Sequence, residues 1–172
     1  MTFKKALCWI CSGLLCLLVV IPGSAQGNRG KAELKAGTGN ITIDYGRPSL
    51  KGRDMISQLQ EGSFWRMGMN QATVFTTPVN LTIGDTTVAK GSYSIWLKRA
   101  GDKYLLVFNS QTGQWGTQHD PSKDVVGVPL KQETLSSPVE TFTIDLKEAS
   151  HGGTFSLSWG TTKLSTDFVT GS

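Results

Sequence analysis

Apolar residues recur at every second position through most of this chain, and that spacing restricts it to strands with one buried face. The runs are Ile41, Ile43, Tyr45; Val79, Leu81, Ile83; Tyr93, Ile95, Leu97; Tyr104, Leu106, Phe108; Phe142, Ile144, Leu146; and Phe155, Leu157, Trp159. Short turn signals separate them, at Gly84-Asp85, Lys90-Gly91, Gly101-Asp102 and His151-Gly152-Gly153. Such tight connections join antiparallel neighbours. The expected fold is therefore all-β, an antiparallel sandwich or partly closed barrel of about eight or nine strands. One short helical segment is expected near residues 54–61, "DMISQLQEG" being the only stretch suited to a turn or two of helix.

The N-terminus breaks the pattern. Lys4 and Lys5 precede an apolar run from Ala6 to Ile21 and then Pro22-Gly23-Ser24-Ala25, the charged start, apolar middle and small-residue cleavage site of a secretory signal. The run is about 16 residues, short of the roughly 20 that cross a bilayer, so no transmembrane segment is expected in the mature chain. Cleavage near Ala25 would leave a periplasmic or secreted protein. Cys8, Cys11 and Cys16 all fall inside the signal, which removes any disulfide or cysteine nucleophile from the mature protein. Residues 26–38, "QGNRGKAELKAGT", read as a flexible lead-in, and residues 39–170 as a single β domain. Without Lys4 and Lys5 the chain has 15 basic and 13 acidic residues, too balanced for a nucleic-acid partner.

Two segments interrupt the meander, Gly46 to Gly62 and Ser110 to Asp124. Connections of that length are often functional. In the first, Gly46-Arg47-Pro48 keeps Arg47 out of helical geometry, and Gly52-Arg53 repeats the theme. A guanidinium held at a defined angle suits bidentate recognition of a carboxylate or phosphate. The competing reading is an internal brace, with Asp44, Asp54 or Glu61 closing the pairs.

Across "FWRMGMNQAT" an extended chain would place Arg66 and Asn70 on one face, about 13 Å apart, with Gly68 bare between them. Alternatively Gly68 marks a bulge and both side chains satisfy neighbouring backbone. In the second segment Trp115 stands between glycines, either a stacking platform or a plug over the end of the sandwich.

The runs "ITIDYGRPSLKGR", "FWRMGMNQATVF", "VAKGSYSIWL", "VFNSQTGQWG", "DPSKDV", "PVETFTIDL" and "LSWGTTKLS" resemble, in order and spacing, the bacterial exported family named domain of unknown function 2911. The resemblance spans about residues 39–169 and implies an all-β bacterial envelope protein. It carries no assigned activity. The chain departs from the family pattern at "SQLQEGS" between Ile56 and Phe64, and at His119.

Enzyme motifs are thin. There is no Gly-x-Ser-x-Gly elbow and no His spacing suited to a transition metal, so neither cofactor nor metal is expected. His119 and Asp120 are neighbours, and in extended chain they point to opposite faces. The expected function is binding of a small anionic or polar ligand, such as a glycan or peptide fragment. Arg47, Arg53 and Arg66 would supply charge, Asn70 an amide, and Tyr45 and Trp115 stacking surface, with His119 nearby. Two alternatives stand beside it: a structural or assembly module acting through protein contacts, and a hydrolase using His119 or converging carboxylates.

Overall fold

The computed structural model describes residues 28–171; the signal sequence and its three cysteines lie outside them. Ten strands follow one another: β1 Arg29–Ala36, β2 Gly39–Gly46, β3 Phe64–Trp65, β4 Thr73–Thr77, β5 Leu81–Ile83, β6 Thr86–Val88, β7 Gly91–Ala100, β8 Lys103–Asn109, β9 Asp124–Ala149 and β10 Gly152–Thr170. They form one antiparallel sheet in the order β1-β2-β4-β7-β8-β9-β10-β5-β6, with β3 paired on β7 off that path. The sheet does not close into a barrel.

The bend that creates an interior lies in β9. Its first part, Asp124 to Leu130, pairs with β8, whereas Lys131 to Ala149 pair with β10. The two halves of the sheet thereby face each other across one apolar core that includes Ile43, Phe75, Ile95 and Phe108 from one half and Phe142, Ile144, Leu157 and Leu164 from the other. Tyr45 spans the gap and donates a hydrogen bond to the Ile144 carbonyl at 3.2 Å. Beyond β2 the chain is laced to β9, with Phe142 N donating to Pro48 O at 2.9 Å and Leu50 N to Glu140 O at 2.7 Å.

The outer face of the sheet is covered as well. Trp96, Val107 and Ala72 form a second small cluster with Phe64 and Leu105. Residues 93–97 of β7 are consequently buried on both sides, where simple alternation would leave one face wet.

Arg29–Ala36 is not the flexible lead-in expected from its composition. It pairs along its whole length with β2, from Arg29 opposite Gly46 to Ala36 opposite Gly39. Its inward residues, Ala32, Leu34 and Ala36, are mostly small, while Lys31, Glu33 and Lys35 face out, so the strand reads as polar. Charges on an edge strand also discourage pairing with other chains. Residues 54–58 form hydrogen-bonded turns, with Gln58 N donating to Asp54 O, and the short helix among the described residues is a 3-10 turn at Pro121–Lys123.

β3 and β4 lie on the same side of β7. Trp65 stands opposite Leu97 and Thr73 opposite Ile95, so eight steps along this strand match two along β7. Residues 66–72 thus leave the ladder and return to it, and this excursion builds the candidate site.

Candidate functional site

A cleft of about 350 Å³ opens where the excursion meets the chain beyond β2 and the irregular middle of the β9–β10 pair. Arg53, Arg66, Asn70 and Ser49 bring polar side chains to it; Trp65, Trp159, Met55, Met69 and Pro48 bring apolar ones. Trp65 ends β3 with its indole stacked on that of Trp159, centroids 5.4 Å apart and planes 8° from parallel. Phe142 meets both rings edge-on. Trp159 Nε1 donates to Glu140 O at 3.3 Å, which fixes the second indole.

The backbone of the excursion is strained. Met67, fully buried, has φ 47°, and Asn70 has φ 62°. A side chain in the left-handed region collides with its own carbonyl, so such residues persist only where their surroundings hold them. Thr73 Oγ1 donates to Met67 O at 2.7 Å and supplies part of that hold. Close backbone approach supplies the rest: a Cβ on Gly68 would lie 2.9 Å from Gly46 O, and one on Gly116 would lie 2.6 Å from Asn70 O and on top of Arg66 Cδ. Gly116 N donates to Asn70 O at 2.9 Å, so the second long loop clamps the excursion from outside.

The placement of the nearby carboxylates bears on the brace reading. The three carboxylates that could have closed the arginine pairs are engaged elsewhere. Asp44 is bound to Arg29. Asp54 Oδ1 accepts from Ile56 N at 3.1 Å and Ser57 N at 3.2 Å. Glu61 Oε2 accepts from Gly101 N at 2.6 Å. Among the described residues no ion pair involves Arg47, Arg53 or Arg66. Arg66 Nη1 reaches Gly116 O only at 3.5 Å, and its buried Nε has no hydrogen-bond partner.

Of the seven residues expected at a site, Arg53, Arg66 and Asn70 meet in the cleft. They do so because the chain turns back on itself; the extended path expected for residues 65–70 stops at Trp65. Arg47 turns the other way, its stem lying over Gly30 beside Tyr45 and its Nε without a partner among the described residues. Tyr45 is a core residue, its ring edge-on to Phe142 and its hydroxyl spent on Ile144 O, with no face left for a ligand. Trp115 is half-exposed beside the cleft and does not line it. Sequence reasoning missed Trp65, Trp159, Met55 and Met69 as lining residues.

His119 does not pair with Asp120. Its Nε2 lies 2.8 Å from Asp124 Oδ1, and its ring sits between Phe64 and Trp96, with centroids at 4.1 and 4.7 Å. Asp124 Oδ1 also accepts from Asn109 Nδ2 at 2.8 Å. This is a pinned cover over the outer cluster, and the side chain is only 10% exposed. Asp120 caps the 3-10 turn instead; the Ser122 hydroxyl and then the Ser122 amide, both bonded to its carboxylate, hold it below the ordinary aspartate range. Among the described residues no cluster of three or more His, Cys, Asp or Glu could hold a metal, and no helix is long and apolar enough to cross a membrane.

Fold and site together define an all-β domain with a donor-rich cationic cleft at one end of its core. A family model described as "Protein of unknown function (DUF2911)" matches residues 28–168, and the chain belongs to that family. No curated protein and no solved structure matched the chain.

Proposed function

We propose that the mature chain is a periplasmic or secreted binding module of the bacterial envelope, and that it takes a small anionic ligand in the Arg53–Arg66–Asn70 cleft. The observation that carries this reading is the pair of arginines lining one cleft with no carboxylate closing them. A guanidinium offers five donors in a planar fork and no acceptor, so it favours carboxylate or phosphate oxygens. The volume falls at the small end of the range for small-molecule sites. An assembly module would present an exposed apolar patch or an unpaired sheet edge with its arginines internally paired; the sheet does leave β1 and β6 as edges, but Arg47, Arg53 and Arg66 have no ion-pair partner among the described residues. A hydrolase would use His119 or converging carboxylates in one concave pocket, whereas His119 packs between Phe64 and Trp96 and no carboxylate lines the cleft.

Thermal unfolding of the purified protein with acetate, inorganic phosphate and phenylacetate at constant ionic strength tests the proposal. A ligand at a hundred times its Kd stabilises by about 2.7 kcal/mol, which is roughly 5–10 °C at about 2–4 °C per kcal/mol. The gain should disappear in Arg53→Ala and Arg66→Met. If no anion raises Tm, or the two variants respond as the parent does, the reading is wrong. Export is checked separately by sequencing the N-terminus of the protein recovered outside the cytoplasm, which should begin near Gln26.

A further inference from the structure

The donor and acceptor inventory of the cleft narrows the ligand further. Arg53 and Arg66 each carry five N–H donors and no acceptor, and although Arg66 Nε is buried and its Nη1 faces Gly116 O, donors still outnumber acceptors in the lining. Against these the lining side chains offer two acceptors, Ser49 Oγ and Asn70 Oδ1, and no carboxylate. A sugar carries a hydroxyl on most of its carbons, and each needs an acceptor once it leaves water; an unmet one costs about 1–3 kcal/mol. The lining side chains offer such a ligand few acceptors. They suit a molecule that accepts at one end and is hydrocarbon elsewhere.

The apolar lining has the complementary form. Trp65, Trp159, Met55 and Met69 line the same cleft as Arg53, Arg66 and Asn70. A head group bound by the arginines therefore shares one chamber with indole and thioether surface. A dry cavity of about 150 Å³ accommodates a benzene ring. The cleft, at about 350 Å³, has room for a ring, a short linker and a carboxylate.

Resting on the anion-binding reading, we infer that the cleft selects an amphipathic organic carboxylate, with its head on Arg53 and Arg66 and an apolar or aromatic body against Trp65, Trp159, Met55 and Met69. The two methionines set the preference for the body, since flexible thioethers adapt to flat and irregular apolar groups.

Three probes with the same head separate the possibilities: acetate, which is the head alone; phenylacetate, with an apolar body; and glucuronate, with a hydroxylated one. Each is titrated into the purified protein while the tryptophan indole N–H resonances are followed by NMR. Phenylacetate should bind at least about tenfold tighter than either of the others and should shift the Trp65 and Trp159 signals. Met55→Gln, at a position 39% exposed and thus tolerant, should narrow the phenylacetate-to-acetate ratio severalfold. Arg66→Met should abolish the shifts. If glucuronate binds as tightly as phenylacetate, the inference falls while anion binding stands. The same holds if Met55→Gln leaves the ratio untouched. If none of the three binds while inorganic phosphate does, the inference falls alone; if phosphate fails as well, the anion-binding reading falls with it.

Discussion

Replacing Arg66 with methionine separates a brace from a binding residue most sharply. Were Arg66 one half of a buried ion pair, removing it would strand a charge and cost about 3–5 kcal/mol. The structure gives it no such partner. Among the described residues its one hydrogen bond, to Gly116 O, is at 3.5 Å, the outer limit of such a contact, and its buried Nε is unmet. An unmet buried donor carries a penalty of about 1–3 kcal/mol that an apolar replacement removes. Methionine keeps most of the stem that packs against Gly116 and removes both the charge and the Nε. The expected result is an apo protein as stable as the parent or more stable by about 1 kcal/mol, a rise of roughly 2–4 °C in Tm, with the carboxylate response gone. The assay is thermal unfolding by circular dichroism, with urea unfolding alongside. Arg29→Met is the control, because Arg29 does have a partner; Asp44 is half-exposed, so this pair contributes no more than about 1 kcal/mol. A loss of 3 kcal/mol or more in Arg66→Met, about the size expected for a stranded buried partner, would refute the argument, because it would mean that the arginine braces the excursion.

Other perturbations test neighbouring claims. Gly116→Ala should cost about 1–3 kcal/mol by overpacking and should also weaken anion binding, because the new methyl group would occupy the space of Arg66 Cδ and crowd the Asn70 carbonyl; melting curves with and without phenylacetate read both. Asn70→Ala should lose about 1 kcal/mol to the left-handed backbone, whereas Asn70→Gly should keep its stability; both should bind anions more weakly, which separates conformation from the lost amide. His119→Ala should lower Tm by opening space between Phe64 and Trp96 and leave anion affinity unaltered, since the ring lies outside the cleft. Ser122→Ala bears on pH: a carboxyl whose folded pKa is depressed adds stability above its unfolded value of about 3.9 and loses it as pH falls through the folded value. The parent should therefore exceed Ser122→Ala in Tm at neutral pH, and the gap should close in acid as Asp120 protonates.

How much of this was legible in the sequence varied with the physics of each element. β2, β7, β8 and the paired ends of β9 and β10 announced themselves because Ile, Leu, Tyr and Phe recur there at every second position, even where the residues between them, in β7 and β8, are buried as well. β1 did not, because small inward alanines leave no apolar signal, and the threonine-rich β4 is similarly muted. Arg53, Arg66 and Asn70 could be nominated from side-chain chemistry beside glycines. Their convergence could not be read, since it depends on left-handed geometry at Met67 and Asn70, residues that do not advertise it. Trp159 reaches the cleft from the far end of the chain through the irregular register beyond Ser158. Arg47 and Trp115 carry the right chemistry on the wrong side of their backbones.

The excursion at residues 66–72 is the strongest structural argument that the cleft has a purpose. β3 and β4 are aligned along the same neighbour, and a strand running straight through would satisfy its ladder at no conformational cost. The chain instead holds a buried methionine in a left-handed conformation, leaves the Arg66 Nε unmet, and needs glycines at 46, 68 and 116 to let the backbones approach. Each feature is unfavourable taken alone, and such features concentrate where structure is arranged for function. What the detour achieves is specific. On a straight strand Arg66 and Asn70 would stand about 13 Å apart, too far to share a small head group, whereas the fold brings them to one cleft with Arg53 and the indole pair. An anion that enters this cleft meets two guanidinium groups that have no carboxylate partner among the described residues. Its binding free energy thus includes a contribution that no neutral ligand of the same shape could gain.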